Sequence, residues 1–576
     1  MTALLDLLSP SATQVKTTLR QGDFICKIDL KDAYFCVAIN PNHRKYLRFN
    51  WKGKLVQYKS LPFGLASGPR IFTKIMKPII AILRRIGVRI VIYLDDMLIM
   101  NQTQEGLIKD RDSLIWMLHH LGWVINWKKS VMNPTQTLEF LGFQLDSSNM
   151  IVSLPQVKIN NLIKKCQSVL RSNQITIQEL ASLVGSLNAT VEAVIPAALY
   201  MRELQMHQTK CLIRSQNYQS IVELPNHCKT EIQWWVQKLK DWNGKQILTM
   251  SPHLTVETDA SKEGWGFHCP SLKIRTGGPW NREEQNLHIN ALEMKAAEIA
   301  IKSLTKSKEN IHVHLKMDNV TAVTYLNKMG GTKSCILNSI TKEIWEYCML
   351  KKIIVTAEYL PGCQNSIADW ESRNVQEVSI NSWRLNPTII NQINKTLGPF
   401  KIDLFADRWN AQVPQYISWK NDPLALSVDA FLTTWEKEKK AYAFPPFCMI
   451  PKCLSKLQRE GGELVLVTPA WQTQSYYPLL LQMTIANPIL LPPQKNLLMS
   501  PGGDNHPMIL NGALKLVAWK ISGNPRKCWE FQNKLQNYSP QLGDRVPSQL
   551  TTAAGNTGLA GVINNKLIPF VPLWNL

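Results

Sequence analysis

Two aspartates stand side by side where an apolar strand pattern is interrupted. Residues 91–96 read VIYLDD and continue into the apolar MLIM, which predicts a β-hairpin whose turn carries Asp95 and Asp96, because adjacent charges disfavour a mid-strand position. Upstream, Asp29 ends the apolar part of KIDLKDAYF. Three carboxylates at neighbouring strand ends could hold two Mg²⁺ ions, which neutralise a triphosphate and activate a hydroxyl for in-line displacement. Ordinary turn chemistry also explains a pair of aspartates.

A second set of acids lies downstream, each at the end of a predicted strand or near the start of a predicted helix: Asp259, Glu293, Asp318 and Asp369. Glu293 could instead partner an Asn290 N-cap in a capping box, and the three aspartates could be N-caps or turn residues. In IHVHLKMD the alternation of apolar and polar residues predicts one buried and one surface face. The predicted surface face carries His312, His314, Lys316 and Asp318.

The elements that must position these acids are readable from hydrophobic periodicity. Residues 24–100 alternate β-rich runs with one helical stretch, PRIFTKIMKPIIAILRRIG, which predicts a sheet with helices on one face. Residues 156–206 have helical patterns and 207–230 form a polar connector. A second β-rich region opens at HLTVETDAS and closes near Arg373, and Pro-rich sequence begins another unit near Lys401. The stretch from about Ser539 is predicted to be poorly ordered.

Composition narrows the class of protein. The 576 residues carry a formal charge of +22 with a pI near 9.4, which favours a polyanionic partner, nucleic acid first and an anionic membrane second. A hydrophobic content of 45% excludes a disordered basic tail. The twelve cysteines form no C-x-x-C pair and predict reduced thiols in an intracellular protein. No signal peptide is recognisable, and prolines interrupt the uncharged residues 464–494, so we predict no membrane span there.

Five segments in order, KIDLKDAYF, LPFGLASGPRIF, YLDD, NWKKS and EFLGF, resemble the palm motifs of reverse transcriptases. The resemblance implies that Asp29, Asp95 and Asp96 bind metal and that Tyr34 excludes a 2′-hydroxyl. It places Phe63 and Gly64 at the nucleotide and template site, Lys129 near the triphosphate, and a primer-gripping turn at Phe140, Leu141, Gly142 and Phe143. Tyr34 and Phe63 could also be plain core aromatics. Only 28 residues precede Asp29, too few for the fingers segment of that family, so we expect an N-terminally truncated polymerase.

Residues 250–373 resemble ribonuclease H. Asp259, Glu293, Asp318 and Asp369 would then be its four metal ligands, with two metals that activate a water against an RNA phosphate. Tyr359 stands where related elements often show histidine. The segments MDNVTAVTYLNKMGGTKS and IADWESR are similar to DIRS-type retrotransposons, which use tyrosine recombinases. The later segments KIDLFADRWNAQVPQYISW and AYAFPPF resemble the methyltransferase-like region of such elements, but Phe444 stands where an Asp or Asn is needed, so we predict a non-catalytic region.

Together these features predict a multidomain α+β and α/β protein. We expect a reverse transcriptase palm at 1–150 (a ferredoxin-like antiparallel sheet with helices), a helical thumb or connection at 151–245 and a ribonuclease H-like α/β domain at 246–375. A linker at 376–400, a methyltransferase-like α/β region at 401–538 and a flexible tail at 539–576 would follow.

The predicted activities are RNA-directed DNA synthesis and ribonuclease H cleavage, each with two Mg²⁺, for which Mn²⁺ can substitute. The expected partners are RNA template, DNA primer, RNA/DNA hybrid and deoxynucleoside triphosphates, with no membrane, in a cytoplasmic or nuclear protein. The alternatives are a nuclease alone, or a degenerate copy that binds nucleic acid without catalysis.

Overall fold

The computed structural model describes residues 14–172, 174–247, 251–375, 382–435, 440–500, 503–537 and 559–575. The chain forms two compact units, Met1–Ser251 with Gly331–Lys333, and Pro252–Gly330 with Ser334–Leu576. The boundary at residue 251 lies close to the predicted start of a domain at 246. Most of the region predicted as 246–375 (residues 252–330 and 334–375) and the region predicted as 401–538 belong to the second unit.

The first unit begins with a four-stranded antiparallel sheet of order β4-β5-β1-β6. Its elements in chain order are β1 Phe24–Asp29, β2 Arg48–Trp51, β3 Lys54–Gln57, α1 Gly68–Arg85, β4 Arg89–Tyr93, β5 Asp96–Asn101, α2 Gln104–His120 and β6 Val131–Thr135. Phe72, Met76 and Leu83 of α1 recur at helical spacing and are buried with Ile28 and Met97 of the sheet. Residues of both helices belong to this core, so the predicted sheet with helices on one face is confirmed.

The remainder of the first unit is mostly helical. Strands β7 Thr137–Phe140, β8 Phe143–Asp146, β9 Ile151–Ser153 and β12 Lys245–Gln246 form a second antiparallel sheet, and β10 Gln174–Thr176 pairs with β11 Ile221–Glu223. The helices are α3 Gln156–Arg171, α4 Ile177–Asn188, α5 Arg202–Ser215 and α6 Asn226–Lys238. The predicted polar connector at 207–230 therefore lies largely in helices. Residues 207–215 show no apolar stripe, because the buried residues of α5, Leu204 and Met206, precede them.

The second unit opens with a five-stranded sheet of order β15-β14-β13-β16-β17. Its first three strands are antiparallel, and β16 and β17 run parallel to β13. The elements are β13 Leu254–Ala260, β14 Gly264–Cys269, β15 Ile274–Pro279, α7 Ile289–Leu304, β16 His312–Met317, α8 Val320–Asn327, α9 Cys335–Leu350, β17 Ile354–Tyr359 and α10 Ser366–Arg373. Together they form the predicted mixed α/β arrangement between residues 250 and 373.

Helix α10 lies directly on β14 and β15. Gly264, Gly266 and Gly277 face it, and a Cβ on any of them would overlap residues 368–375. Glycine is required at these three positions because the helix approaches the strand backbone too closely for a side chain.

The rest of the second unit surrounds a six-stranded sheet of order β19-β22-β23-β26-β24-β29. The strands are β18 Arg384–Leu385, β19 Ile402–Asp403, β20 Ile417–Ser418, β21 Ser427–Val428, β22 Ala441–Ala443, β23 Glu463–Pro469, β24 Ile489–Leu490, β25 Leu498–Met499, β26 Leu516–Ser522, β27 Leu559–Ile563, β28 Lys566–Pro569 and β29 Val571–Pro572. The helices are α11 Pro387–Leu397, α12 Ile450–Glu460, α13 Tyr477–Gln482, α14 Pro507–Leu510 and α15 Pro525–Gln532.

Two predictions about this part of the chain are wrong. The predicted linker at 376–400 contains α11, whose Ile389, Ile393 and Leu397 are buried. Residues 559–575 of the predicted flexible tail form strands that bury Ile568 and Phe570 in the core, while 538–558 lie outside the described residues. Their polar composition concealed short apolar segments that pair with other strands. The uncharged residues 464–494 supply β23, β24 and connecting loops as predicted, but they also contain the buried helix α13, which was not predicted. No helix in the described ranges is long and apolar enough to cross a membrane.

Candidate active sites

The first candidate site lies at one edge of the β4-β5-β1-β6 sheet. Strands β4 and β5 form the predicted hairpin, with Leu94 in the left-handed conformation (φ 52°) and Asp95 in the turn. The register pairs Asp29 with Asp96, and the Leu30 N–H donates to the Asp95 carbonyl at 3.1 Å. The three predicted aspartates therefore meet at this edge.

The three carboxylates at this edge lie close enough to one another to change the pKa of Asp95. Burial, together with the negative charges of Asp96 and Asp29, raises the pKa of Asp95, and the ammonium of Lys129 opposes the shift. The Lys27 ammonium lies 2.8 Å from Asp96 Oδ1, so it neutralises part of the cluster. Sequence reasoning missed this role of Lys27. The available signal was its position two residues before Asp29, on the same face of β1.

The predicted nucleotide residues divide between core and surface. Tyr34 is buried, and its ring centroid lies 5.2 Å from that of Phe63 and 5.3 Å from that of Phe72. Burial and the charge of Asp95 raise the pKa of Tyr34, which places the phenol near the carboxylates as well as in the core. Phe63 is 66% exposed, so the core interpretation fails for it. Gly64 has a φ of 90° beside open space.

The predicted primer-gripping residues do form a turn. Phe140 pairs with Phe143 across a two-residue hairpin in which Leu141 and Gly142 both have positive φ, the pattern of a type I′ turn. Lys158, which the sequence did not suggest, donates to the Gly142 carbonyl at 2.8 Å and lies 5.6 Å from the Phe143 ring centroid.

The second candidate site gathers acids from three elements of the second unit. One ligand oxygen each from Asp259 at the end of β13, Glu293 in α7 and Asp318 after β16 lie within 4.8 Å of one another. Among the described residues no other three Asp, Glu, His or Cys side chains meet this distance. The oxygens of Asp29, Asp95 and Asp96 do not lie within this distance of one another. Asp96 instead forms an ion pair with Lys27.

The capping interpretation of Glu293 is wrong. The N-cap of α7 is His288, whose Nδ1 accepts from the Asn290 N–H at 3.2 Å. Asn290 Oδ1 accepts from the Asn319 side chain at 2.9 Å. Glu293 is 3% exposed and one turn beyond the cap, where it faces the aspartates.

Burial makes it unfavourable for the carboxyls of this second cluster to be ionised together unless a cation is bound. Burial, with the charges of Asp259 and Asp318, raises the pKa of Glu293 to about 9. Burial, with Asp318 and Asp369, raises the pKa of Asp259 to about 6, although the Ser372 hydroxyl donates to Asp259 Oδ2 at 2.6 Å. Glu293 Oε2 is buried and receives no hydrogen bond from any described residue. Such an orphaned oxygen among carboxylates fits a bound cation.

Asp369 borders the cluster from α10. It accepts from Arg373 Nε at 2.7 Å, and its charge adds to burial in raising the pKa of Asp318. Arg373 was not predicted, although its i, i+4 spacing from Asp369 was a usable signal. The expectation of an exposed histidine pair is wrong for His312, which is buried and hydrogen-bonded to Thr356 at 2.8 Å. Asp318 is half-buried, and Tyr359 is 53% exposed.

The segment AYAFPPF lies in the six-stranded sheet and its following loop. Phe444 packs with Phe447, whose ring meets Trp471 edge-on at 5.4 Å. The fully buried Asp403 accepts from the N–H groups of Phe405 and Gln412. Its pKa is raised to about 7 by burial and by the charge of Asp407. The position before Pro445 is therefore held by the apolar ring of Phe444, not by the amide or carboxylate that the methyltransferase motif needs.

Residues 3–145 match the family described as reverse transcriptase (RNA-dependent DNA polymerase). The chain is 22% identical over 389 residues to the enzymatic polyprotein of cauliflower mosaic virus (strain Strasbourg), covering 64% of this chain and 53% of that protein. It is 23% identical over 382 residues to the putative enzymatic polyprotein of cassava vein mosaic virus, covering 61% and 53%.

The chain spans about half the length of these curated relatives. Among solved structures, a foamy viral protease-reverse transcriptase in complex with RNA/DNA hybrid shares 16% identity at a TM-score of 0.37, over 60% of this chain and 45% of that chain.

Proposed function

We propose that this chain, which carries a reverse transcriptase region at residues 3–145, synthesises DNA on an RNA template and then hydrolyses the RNA strand of the hybrid. The observation that carries the proposal is the convergence of Asp259, Glu293 and Asp318, with a buried oxygen that lacks a donor, on a chain that also has a matched polymerase region.

At the polymerase site, Asp29, Asp95 and Asp96 would hold Mg²⁺, for which Mn²⁺ can substitute. The bound metal would supply charge for the triphosphate of the incoming deoxynucleotide and lower the pKa of the primer hydroxyl. Lys27 holds Asp96 by its ion pair, and the Tyr34 and Phe63 rings, 5.2 Å apart, would border the sugar. Lys129 opposes the raised pKa of Asp95 and would place a second positive charge beside the phosphates.

At the nuclease site, Asp259, Glu293, Asp318 and Asp369 would hold the metal, which supplies an activated water against the scissile phosphate. Ser372 orients Asp259 by donating to its Oδ2. Arg373 fixes Asp369 by an ion pair at 2.7 Å. The high pKa of Glu293 means that this side chain keeps a proton at neutral pH until a cation displaces it.

The distribution of charge supports nucleic-acid partners, namely RNA template, DNA primer and RNA/DNA hybrid. Between residues 33 and 94 the sequence has twelve Lys and Arg and not one Asp or Glu. Within this stretch the β2-β3 hairpin exposes Phe49, Trp51 and Leu55. Aromatic rings interleaved with cations are the usual surface for a single strand, because rings stack on bases while cations follow phosphates.

We also propose that the chain belongs to a DIRS-type retrotransposon polyprotein, on the similarity of its segments after residue 316. The region 401–538 would then be a methyltransferase-like fold without that activity, because Phe444 cannot bond an amino group. A nuclease without polymerase activity is the second candidate, since the oxygens of only the second carboxylate cluster are gathered within 4.8 Å.

The test is one labelled RNA/DNA hybrid, scored for primer extension and RNA cleavage in Mg²⁺ and in Mn²⁺. Asp95→Asn should lower extension by orders of magnitude and leave cleavage intact, because one lost ligand removes several kcal/mol of charge stabilisation. Asp318→Asn should do the reverse. Glu105→Gln, a change at an exposed carboxylate in the first turn of α2, is the matched control. Cleavage without extension would favour the nuclease alone, and neither activity in either metal would favour the binding-only alternative.

A further inference from the structure

Helix α1 carries a second apolar stripe in addition to the one that packs on the sheet. This outer stripe consists of Ile71, Ile75, Pro78 and Ile82, continued directly after the helix by Ile86. The four isoleucines are between 37% and 65% exposed, and Pro78 is exposed as well. Exposed apolar side chains that stand singly are ordinary, whereas a contiguous row of them marks an interaction site.

The spacing of the outer stripe is that of a seam between two helices. Its members follow one another at intervals of 4, 3, 4 and 4 residues, and intervals of three and four keep side chains in line along one side of a helix. From Ile71 to Ile86 the stripe runs for about 22 Å, at about 1.5 Å per residue. A seam this narrow fits one partner helix laid alongside it, because helices that lie on membranes have a broader apolar face.

A row of cations borders the outer stripe on the side away from the core. At about 3.6 residues per turn, the stripe falls between these cations and the buried face that carries Phe72, Met76 and Leu83. The cations are exposed, and none forms an ion pair with a described residue: Arg70, Lys74, Lys77 and Arg85. The surrounding sequence, from residue 33 to residue 94, contains no Asp or Glu. The complement to this face therefore carries carboxylates beside its apolar residues.

Other occupants fit these residues less well. A second copy of this chain would bring the same cations face to face, because residues 33–94 supply no acid beside the stripe. A single nucleic-acid strand would neutralise the cations, but it needs aromatic rings on which to stack its bases, and the stripe consists of isoleucine and proline. An acidic helix complements both the apolar row and the charged row.

We propose that the outer stripe of α1 docks an amphipathic helix of a partner protein. The apolar seam of that helix packs on the isoleucines, and its Asp or Glu side chains face Lys74 and Arg85. No residue of the outer stripe belongs to either carboxylate cluster, and the proposal does not depend on either activity.

The probe is a designed helical peptide of about three heptads, with leucine at its a and d positions and glutamate at its e and g positions. Its binding to the full chain is measured by fluorescence anisotropy. A photoreactive leucine analogue at one d position, with the attached residue mapped by mass spectrometry, should crosslink within residues 71–86. The same peptide with lysine in place of glutamate should bind at least about tenfold more weakly, because like charges then meet across the seam.

Variants of the chain test the two rows separately. Ile75→Ala and Ile82→Ala should each weaken binding of the glutamate peptide about tenfold, as the loss of a central anchor does. Alanine favours the helix and both positions are exposed, so α1 stays folded. Ile213→Ala, at an isoleucine of α5 that is 71% exposed, is the matched control and should leave binding unchanged. Combining Lys74→Glu with Arg85→Glu should reverse the preference, so that the lysine peptide binds more tightly than the glutamate peptide.

The proposal is overturned if the glutamate peptide does not bind, or if its binding is indifferent to both alanine variants or to the reversal of charge. Vesicles containing phosphatidylserine and a single-stranded oligonucleotide are titrated against the same variants. If Ile75→Ala weakens binding of the vesicles or of the oligonucleotide but not of the peptide, the face binds a membrane or nucleic acid instead. Self-association in sedimentation that is lost in Ile75→Ala would identify a second copy as the occupant and would also overturn the proposal.

Discussion

Replacing Glu293 by glutamine should stabilise the metal-free second unit at alkaline pH. The folded chain raises the pKa of Glu293 from 4.5 to about 9, chiefly through burial. Below pH 4.5 the carboxyl is protonated in both folded and unfolded chains, so its ionisation does not change the free energy of unfolding. Above that pH the unfolded chain loses a proton that the folded chain keeps. Stability therefore falls by up to 1.36 kcal/mol per pH unit until about pH 9.

From pH 5 to pH 8 this penalty reaches about 4 kcal/mol in the unchanged protein. Glutamine has similar shape but no charge, so Glu293→Gln should recover most of that stability at pH 8 and almost none at pH 5. Added Mg²⁺ should stabilise the unchanged protein at pH 8 by binding its folded form, and should have much less effect on the variant.

Glu298→Gln is the matched control, because Glu298 lies on the same helix, is also buried, and has the opposite electrostatics. Burial would raise its pKa, but hydrogen bonds from Lys295 at 2.8 Å and Lys302 at 2.5 Å outweigh burial and lower it. Losing this carboxylate should destabilise the unit at pH 8. The cost should be about 2 kcal/mol, below the 3–5 kcal/mol of fully buried pairs, since both lysines are partly exposed.

The assay is urea unfolding in EDTA at pH 5 and pH 8, with hydrogen exchange of α7 to follow the second unit by itself. If Glu293→Gln destabilises at pH 8 as Glu298→Gln does, or stabilises equally at both pH values, the electrostatic reasoning is refuted.

Three further predictions concern other parts of the chain. Lys27→Met should destabilise the first unit by roughly 1–2 kcal/mol, below the 3–5 kcal/mol of fully buried pairs because both side chains are partly exposed. Mg²⁺ should restore part of the loss, as urea unfolding with and without the ion would show. Affinity for an RNA/DNA hybrid should fall about 10³-fold between 50 and 200 mM salt if about six phosphates are neutralised, and a flat salt titration would mean that the cations are dispersed. Gly266→Ala should reduce RNA cleavage but not primer extension, because its Cβ would press on α10 and displace Asp369. Gly185→Ala, in a helix with open space at the Cβ, should be neutral or stabilising by under 1 kcal/mol.

The features that the sequence predicted well depend on residues close together in the chain. The hairpin that carries Asp95 and Asp96 follows from apolar residues on both sides of a charged turn. The turn at Leu141 and Gly142 was expected only because EFLGF resembles a palm motif. Helix α1 has a strong apolar stripe. In each case the information lies within twenty residues, so periodicity and turn chemistry suffice.

What it predicted poorly depends on distant neighbours. Glu293 has the spacing of a capping partner, and only the approach of β13 and β16 shows that its carboxyl belongs to a buried cluster. Residues 559–575 look like a tail until Ile568 and Phe570 are seen in the core. Lys27 gains a role only through the pairing of β1 with β5.

The glycines that face α10 have a mechanical consequence. Side chains normally leave room for a helix to slide or tilt over a sheet, but here the α10 backbone rests on strand backbone at Gly264, Gly266 and Gly277. Strand and helix must therefore move as one body. A larger residue at any of the three positions would therefore displace α10, and with it Asp369, Ser372 and Arg373. The geometry of the carboxylate cluster is thereby coupled to the backbone of β14 and β15 through one closely packed layer.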